Sequence, residues 1–271
     1  MSAILEDLSP DAIVAAMEAN FTDYSLLITK LPQAELHLDS GLTWVVSDVP
    51  ERWFNGVLKT QLEPEHLEAR IKSILAEFSR RALPMIWNIT PNTRPTGLEV
   101  SLLAHGFRLD NAEPGLALDL HNMNEDNQPP PDFSVETIES FTALAEWTDV
   151  WMENVPDPTA RHCREVYHTI GLGDRVTWRY YLGRLQGRAV ATCQLFYSAG
   201  IVSVHHVATR SEAQRLGIGK ALLVHALREA RGRGYRVAVL TSTLAGLPLY
   251  RRIGFHPYAT FSGYSFLPEP G

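Results

Sequence analysis

The chain has 271 residues, 45% hydrophobic and 20% charged, enough apolar material to bury substantial cores and more naturally two domains than one. A formal net charge of -7 argues against nucleic-acid binding, which needs a basic surface field, and the apolar content excludes a disordered chain. Two cysteines, Cys163 and Cys193, make no disulfide framework, and neither the acidic start MSAILEDLSPDA nor any later segment reads as a signal peptide or membrane span, so a soluble cytoplasmic protein is expected.

In the first half, hydrophobic periodicity predicts a helix over Ala12–Lys30, a strand at Leu42–Val46 and an apolar segment at Phe54–Leu58. A helix at Glu65–Arg81, a strand at Leu83–Ile89 and the run GLEVSLLAHGF from Gly97 to Phe107 follow. The stretch HNMNEDNQPPPDFS, His121–Ser134, carries three consecutive prolines in an Asn/Asp-rich setting. Such a segment suits neither a helix interior nor a central strand, so it reads as a linker or long surface loop. It divides the chain into expected domains at 1–125 and 132–271.

The second half opens with a strand at Phe133–Glu139 and helices at Phe141–Glu153 and Pro158–Ile170. Strands at Thr177–Leu185, Ala189–Tyr197 and Ile201–Thr209, joined by short turns, read as an antiparallel meander. A helix from Gly219 to Arg231 places Leu222, Leu223, Ala226 and Leu227 on one face. Arg236–Ser242 lacks alternation, which suits a strand buried on both faces, and a helix at Leu247–Ile253 ends at Gly254. The tail Tyr258–Phe266 has room for one or two more strands.

The two halves repeat. A single offset, the one that carries Gly106-Phe107 onto Gly254-Phe255, also lays Glu65–Arg81 over Ala213–Glu229 and brings Leu102 onto Tyr250. Helix, strand, helix and Gly-Phe pair recur in that order, which points to duplication.

Chemistry concentrates in the second half. Gln214, Gly217 and Gly219 form Q-x-x-G-x-G directly after a strand and at the start of a helix. Glycines there permit tight backbone geometry, and the free amides at the helix's positive end favour an anionic phosphate. Arg210, Arg215 and Lys220 make a local basic patch for a small phosphorylated ligand. Two nucleotide motifs are excluded: Gln214 stands where a triphosphate loop needs glycine and Ala221 follows Lys220, while Leu222 occupies the third glycine of a dinucleotide fingerprint. No metal-ligand set is expected.

These motifs resemble the GNAT superfamily, the coenzyme-A-dependent N-acetyltransferases. VHHVATRSEAQRLGIGKALL is similar to the family's strand, pyrophosphate loop and helix, and LPLYRRIGF to the later helix bearing its frequent acid. The first half resembles the same fold in degenerate form. The implied fold class is therefore α/β, tandem acyl-CoA N-acyltransferase folds, each a mostly antiparallel mixed sheet flanked by helices. The implied activity is transfer of an acetyl group from acetyl-CoA, as co-substrate, to a small-molecule amine by direct attack in a ternary complex. A non-catalytic acyl-CoA sensor or assembly protein is the alternative.

The resemblance also implies roles. Backbone amides around Val207, Ala208 and Thr209 meet the pantetheine arm. Gln214, Arg215, Leu216, Gly217, Ile218, Gly219 and Lys220 cradle the pyrophosphate. Tyr250 protonates the departing thiolate. Thr243 and Gly246 stand where many relatives have Asn and Ala. At the duplicated offset PEHLEA, Pro64–Ala69, replaces the glycine loop and puts Glu65 and Glu68 where phosphates belong, and Leu102 replaces Tyr250. The first half is thus expected to support the fold or wall an acceptor site.

For the acceptor's proton, His205 and His206 are the candidates, expected to point to opposite faces of a regular strand. Asp149 and Glu153, one turn apart on a helix beside Trp147 and Trp151, are able to line an entrance and attract an amine. Cys193 makes no nucleophile case, so no covalent acyl-enzyme is expected.

Overall fold

The computed structural model of the chain describes residues 3–174 and 176–268. They form two compact units, the first made of residues up to Asn20 with Gly115–Tyr258, the second of Phe21–Pro114 with the segment from Ala259.

Helix α1 spans Pro10–Ser25 and closes in a 3-10 turn at Leu26–Lys30, so the expected long helix tightens over its last five residues. In the second unit, strands β1 (Glu35–Asp39), β2 (Leu42–Val46), β3 (Gly56–Thr60) and β4 (Met85–Ile89) lie in that order. The pairs β1–β2 and β2–β3 are antiparallel, and β3–β4 is parallel. Crossing between the parallel strands is α2, Pro64–Arg80. Proline suits its first turn, where the amide lacks a helical partner anyway. Leu67, Ile71, Ile74 and Phe78 recur at helical spacing and are all buried, each contributing about 1.5–3 kcal/mol. Helix α3, Leu98–Ala104, follows.

The first unit repeats this plan. Strand β6 (Phe133–Thr137) starts an antiparallel meander with β7 (Trp178–Leu185), β8 (Arg188–Ser198) and β9 (Ile201–Thr209). Strand β10 (Val237–Thr241) lies parallel to β9. Helices α4 (Phe141–Trp151) and α5 (Thr159–Ile170) precede β7, α6 (Ile218–Gly232) joins β9 to β10, and α7 (Leu247–Ile253) follows. Ser140 caps α4 by accepting from the Ala143 amide at 3.2 Å. Gly254 ends α7 with φ +112, a conformation that favours glycine.

Each half gives the end of its last strand to the other unit. Strand β5, Arg108–Asp119, follows α3 in the chain, yet its residues Gly115–Asp119 pair antiparallel with β10. Strand β11, His256–Phe266, follows α7, yet Ser262–Phe266 pair antiparallel with β4. Leu116 and Leu118 thereby enter the core of the first unit and Tyr264 that of the second. The expected boundaries at 1–125 and 132–271 therefore follow neither unit: sequence position separates the halves, whereas strand pairing exchanges their ends.

The duplication is present with a drifting offset. Pro64 starts α2 as Ile218 starts α6, Met85 starts β4 as Val237 starts β10, and Leu98 starts α3 as Leu247 starts α7. PEHLEA is consequently the first turns of a helix, not the replacement of the loop. The segment equivalent to Arg210–Gly217 is only Gln61–Glu63, too short to wrap a phosphate.

Candidate functional site: a cleft at the start of α6

Strands β9 and β10 pair through Val202 with Ala238 and Ser203 with Val239. Beyond Ser203, β9 continues to Thr209 still paired with β8, and a cleft of about 910 Å³ opens along Val207, Ala208 and Thr209. That volume lies toward the upper end for ligand sites, roughly 300–1,000 Å³. All its lining residues belong to the first unit.

Gln214, Arg215, Gly217, Ile218, Gly219 and Lys220 form one wall. Arg215 and Gly217 both have left-handed backbone, φ +62 and +79, which turns the loop back to start α6. No side chain caps that helix, so its first amides are directed at the cleft with the positive end of the helix dipole. The two glycines answer different needs. A Cβ on Gly217 would meet nothing closer than 3.6 Å, so its φ is the constraint. On Gly219 it would sit 3.3 Å from Thr209 Oγ1, so this glycine serves close packing of α6 on β9. Leu216, also expected here, is exposed and is not part of the lining.

Tyr250, Thr243 and Gly246 complete the lining from α7 and the loop before it. Tyr250 is 9% exposed, packed edge-on against Phe255 with ring centroids 5.9 Å apart. Gly246 lies under its ring: a Cβ there would come within 2.9 Å of Tyr250 Cε2.

The histidines depart from the expected pattern. A bulge interrupts the β8–β9 register at Thr192/Gln194, and His206 takes φ +52. That single left-handed residue reverses the alternation, leaving the two imidazole centroids 6.1 Å apart instead of on opposite faces. His206 packs against Trp147, Trp151 and Tyr167 from α4 and α5, and its Nε2 is 2.6 Å from the Tyr167 hydroxyl. His205 Nε2 is 2.8 Å from Ser203 Oγ. Both residues keep some exposed surface, but the rings sit among packed neighbours and neither lines the cleft. Burial lowers the His205 imidazole to about 3 and, with His205 beside it, pushes His206 well below the usual histidine range. Both are neutral near pH 7. Tyr167 had no sequence signal, being one aromatic among many.

Of the basic patch only Arg210 meets the acidic entrance. Arg210 pairs with Glu153 at 2.7 Å and donates to Ala189 O, and Glu153 also accepts from the Ser211 amide at 3.0 Å. Burial works to raise the Glu153 carboxyl, but Arg210 and Ser211 outweigh it and hold it low. Glu153 lies past the end of α4, and Asp149 pairs with Arg164 at 2.7 Å. Neither acid is an open amine trap. The cations that do line the cleft are Arg215, Lys220 and Arg252, the last missed in the sequence although it adjoins the Tyr250 motif. Asn154 and the linker residues Asp126, Asn127 and Gln128 were missed as well.

The equivalent seam in the second unit is closed. Thr60 O accepts from Arg94 N at 3.1 Å, Leu62 N donates to Arg94 O at 3.1 Å, and Asn88 Nδ2 donates to Val57 O at 2.9 Å. Leu102 is fully buried and its carbonyl accepts from Phe107 N at 3.1 Å, as the Tyr250 carbonyl accepts from Phe255 N at 3.1 Å. The helix end is preserved and the hydroxyl is gone.

Residues 176–257 match the family model of the acetyltransferase (GNAT) domain. That stretch, which is similar to a GNAT domain, holds the Gln214–Lys220 loop and Tyr250. Solved structures extend the likeness to a tandem GNAT fold over nearly the whole length. A GCN5-related N-acetyltransferase from Kribbella flavida is 17% identical, with 95% of this chain and 96% of that one covered and a TM-score of 0.74. One from Sphaerobacter thermophilus is 18% identical, with 97% and 95% covered and a TM-score of 0.63. A tandem GNAT protein from the clavulanic acid biosynthesis pathway is 13% identical, with 100% and 98% covered and a TM-score of 0.57. No curated protein matches the chain by sequence. At these identities the GNAT likeness carries fold and not substrate. Among the described residues no helix is long and apolar enough to cross a membrane, and no group of acids, histidines and cysteines could hold a metal.

Proposed function

We propose that the protein is an N-acetyltransferase that moves the acetyl group of acetyl-CoA to a small-molecule amine in the first unit's cleft. The observation that carries this reading is the convergence of three features on one cleft: the uncapped start of α6, the diverging end of β9, and buried Tyr250. The amides of Ile218, Gly219 and Lys220, with the Arg215 and Lys220 side chains, suit the coenzyme's diphosphate. Val207–Thr209 suit the amide-rich pantetheine arm. The thioester supplies the activated acetyl group.

A neutral amine attacks the thioester carbonyl directly, a C–N bond forms and the C–S bond breaks. Tyr250 donates its hydroxyl proton to the leaving sulfur, so the coenzyme departs as the thiol. The amine's own proton leaves to water, or through the Tyr167 hydroxyl to His206, which precedes cleft-lining Val207 in the chain and whose neutral ring contacts that hydroxyl. His205, turned to Ser203, is the weaker candidate. Cys193 takes no part: it is fully buried and burial pushes its thiol up, away from the nucleophilic thiolate. The second unit, with its closed seam and Leu102, binds no coenzyme.

The test is a coenzyme-release screen with acetyl-CoA and diverse amines, repeated with Tyr250→Phe. Removing one hydroxyl from a positioned acid lowers kcat by about 10²–10⁴-fold while acetyl-CoA binding is kept. An unchanged rate across neutral and alkaline pH rules out Tyr250 as the acid. Saturable acetyl-CoA binding without release across the panel favours a sensor.

A further inference from the structure

We propose that the linker segment Asn124–Gln128 is a built wall of the cleft that holds the adenosine end of coenzyme A, a role that rests on the coenzyme reading above. The sequence presents this stretch as a connector. The structure fixes it in place. Met123 is buried in the core of the first unit. Asn124 donates from its amide to Ile253 O at 2.9 Å and from Nδ2 to Arg252 O at 3.0 Å, which ties it to α7. Glu125 pairs with both Arg228 and Arg231 of α6, the latter at 2.6 Å. The Asp126 amide closes back on Asn124 Oδ1 at 3.0 Å. Downstream, Gln128 O lies 3.6 Å from where a Cβ of Gly217 would stand, so the segment reaches the start of α6.

From this support Asp126, Asn127 and Gln128 face the same cleft as Arg215, Lys220 and Arg252. The two sets differ in chemistry. The cations and the α6 amides suit phosphates, which a carboxylate repels. One carboxylate and two primary amides instead suit a group that both donates and accepts without charge. The adenine and the free ribose hydroxyl of the coenzyme's 3′-phosphoadenosine are such groups, its 3′-phosphate being left to the cations: an Asn or Gln amide matches the donor–acceptor edge of adenine, and a carboxylate accepts from its amino group or from that hydroxyl. Because the segment is already anchored, the ligand need not order it, which favours affinity.

The experiment compares acetyl-CoA with acetyl-4′-phosphopantetheine, which keeps the thioester arm and one phosphate but lacks the whole 3′-phosphoadenosine 5′-phosphate portion. Both probes are titrated calorimetrically into the full chain, a variant with Asp126, Asn127 and Gln128 all changed to alanine, and Glu125→Gln, with unfolding midpoints as the fold control. Loss of two or more hydrogen bonds predicts an acetyl-CoA affinity about tenfold or more lower in the triple variant, and a smaller loss in Glu125→Gln. The affinity for acetyl-4′-phosphopantetheine stays unchanged in both. Equal losses for the two probes, or no loss for acetyl-CoA, overturn the role of the segment. A wild-type chain that binds neither probe overturns the coenzyme reading instead.

Discussion

Gly246→Ala places one methyl group against the proposed acid. Gly246 has φ -78, so alanine fits its backbone and only packing is perturbed. The new Cβ would stand 2.9 Å from Tyr250 Cε2 and 3.1 Å from Ser242 Oγ. Carbon atoms rest about 3.5–4.0 Å apart, so the Tyr250 ring must retreat by roughly 0.6–1.1 Å or tilt. It has little room, being 9% exposed and backed by Phe255. Overpacking of this kind costs about 1–3 kcal/mol of stability, and a displacement of ~1 Å at a reacting group can cost about 10²-fold in rate. The measurement is steady-state coenzyme release with the best amine of the screen, beside acetyl-CoA affinity by calorimetry. The expected result is kcat lower by about 10–100-fold with an affinity changed much less. A kcat equal to wild type in a chain that folds normally refutes the claim that Tyr250 must hold its place.

Gly217→Ala tests the loop through its backbone. Its φ of +79 is costly for a residue with a Cβ, so chemical denaturation finds the chain about 1–2 kcal/mol less stable; no loss means that the loop relaxes freely. The histidine cluster gives a pH signature. His205 is lowered from 6.5 to about 3 in the folded chain, so below 6.5 the unfolded state binds more protons. Stability is therefore fully present above about pH 6.5 and is lost as the pH falls toward 3. Paired carboxylates such as Glu77, held at about 2 against 4.5 by Arg80 and Arg81, add to the loss only below about 4.5. Between pH 6.5 and 5 the wild type loses stability and His205→Gln loses less; identical slopes contradict a neutral, buried His205.

What the sequence disclosed was local. The Gln214–Gly219 loop declares itself because glycines between a strand and an amphipathic helix have few other uses, and Tyr250 because its Gly-Phe neighbour marks a helix end. Boundaries of β7 to β10 followed from periodicity and turn residues. The exchange of β5 and β11 was illegible, since a strand's partner is decided by packing far along the chain. The same holds for Glu153, whose charge is cancelled by Arg210, a residue distant in sequence. His206 defeated the reading for a different reason: one left-handed residue in a bulge reverses which face every later side chain takes, and no pattern of apolar residues announces it. The linker was read as irregular, and that Asp126, Asn127 and Gln128 line the cleft could not be read there, because their place is set by contacts to α6 and α7 far along the chain.

One binding stoichiometry bears on the whole account. The first unit has an open cleft with an uncapped helix start, and the second has a seam closed by Arg94, a loop cut to Gln61–Glu63 and Leu102 in the place of Tyr250. Calorimetric titration of acetyl-CoA into the purified chain is predicted to saturate at one molecule per chain, and to weaken strongly when Gly219 is replaced by a bulkier residue. Two equivalents, or none, would contradict the assignment of a single competent half.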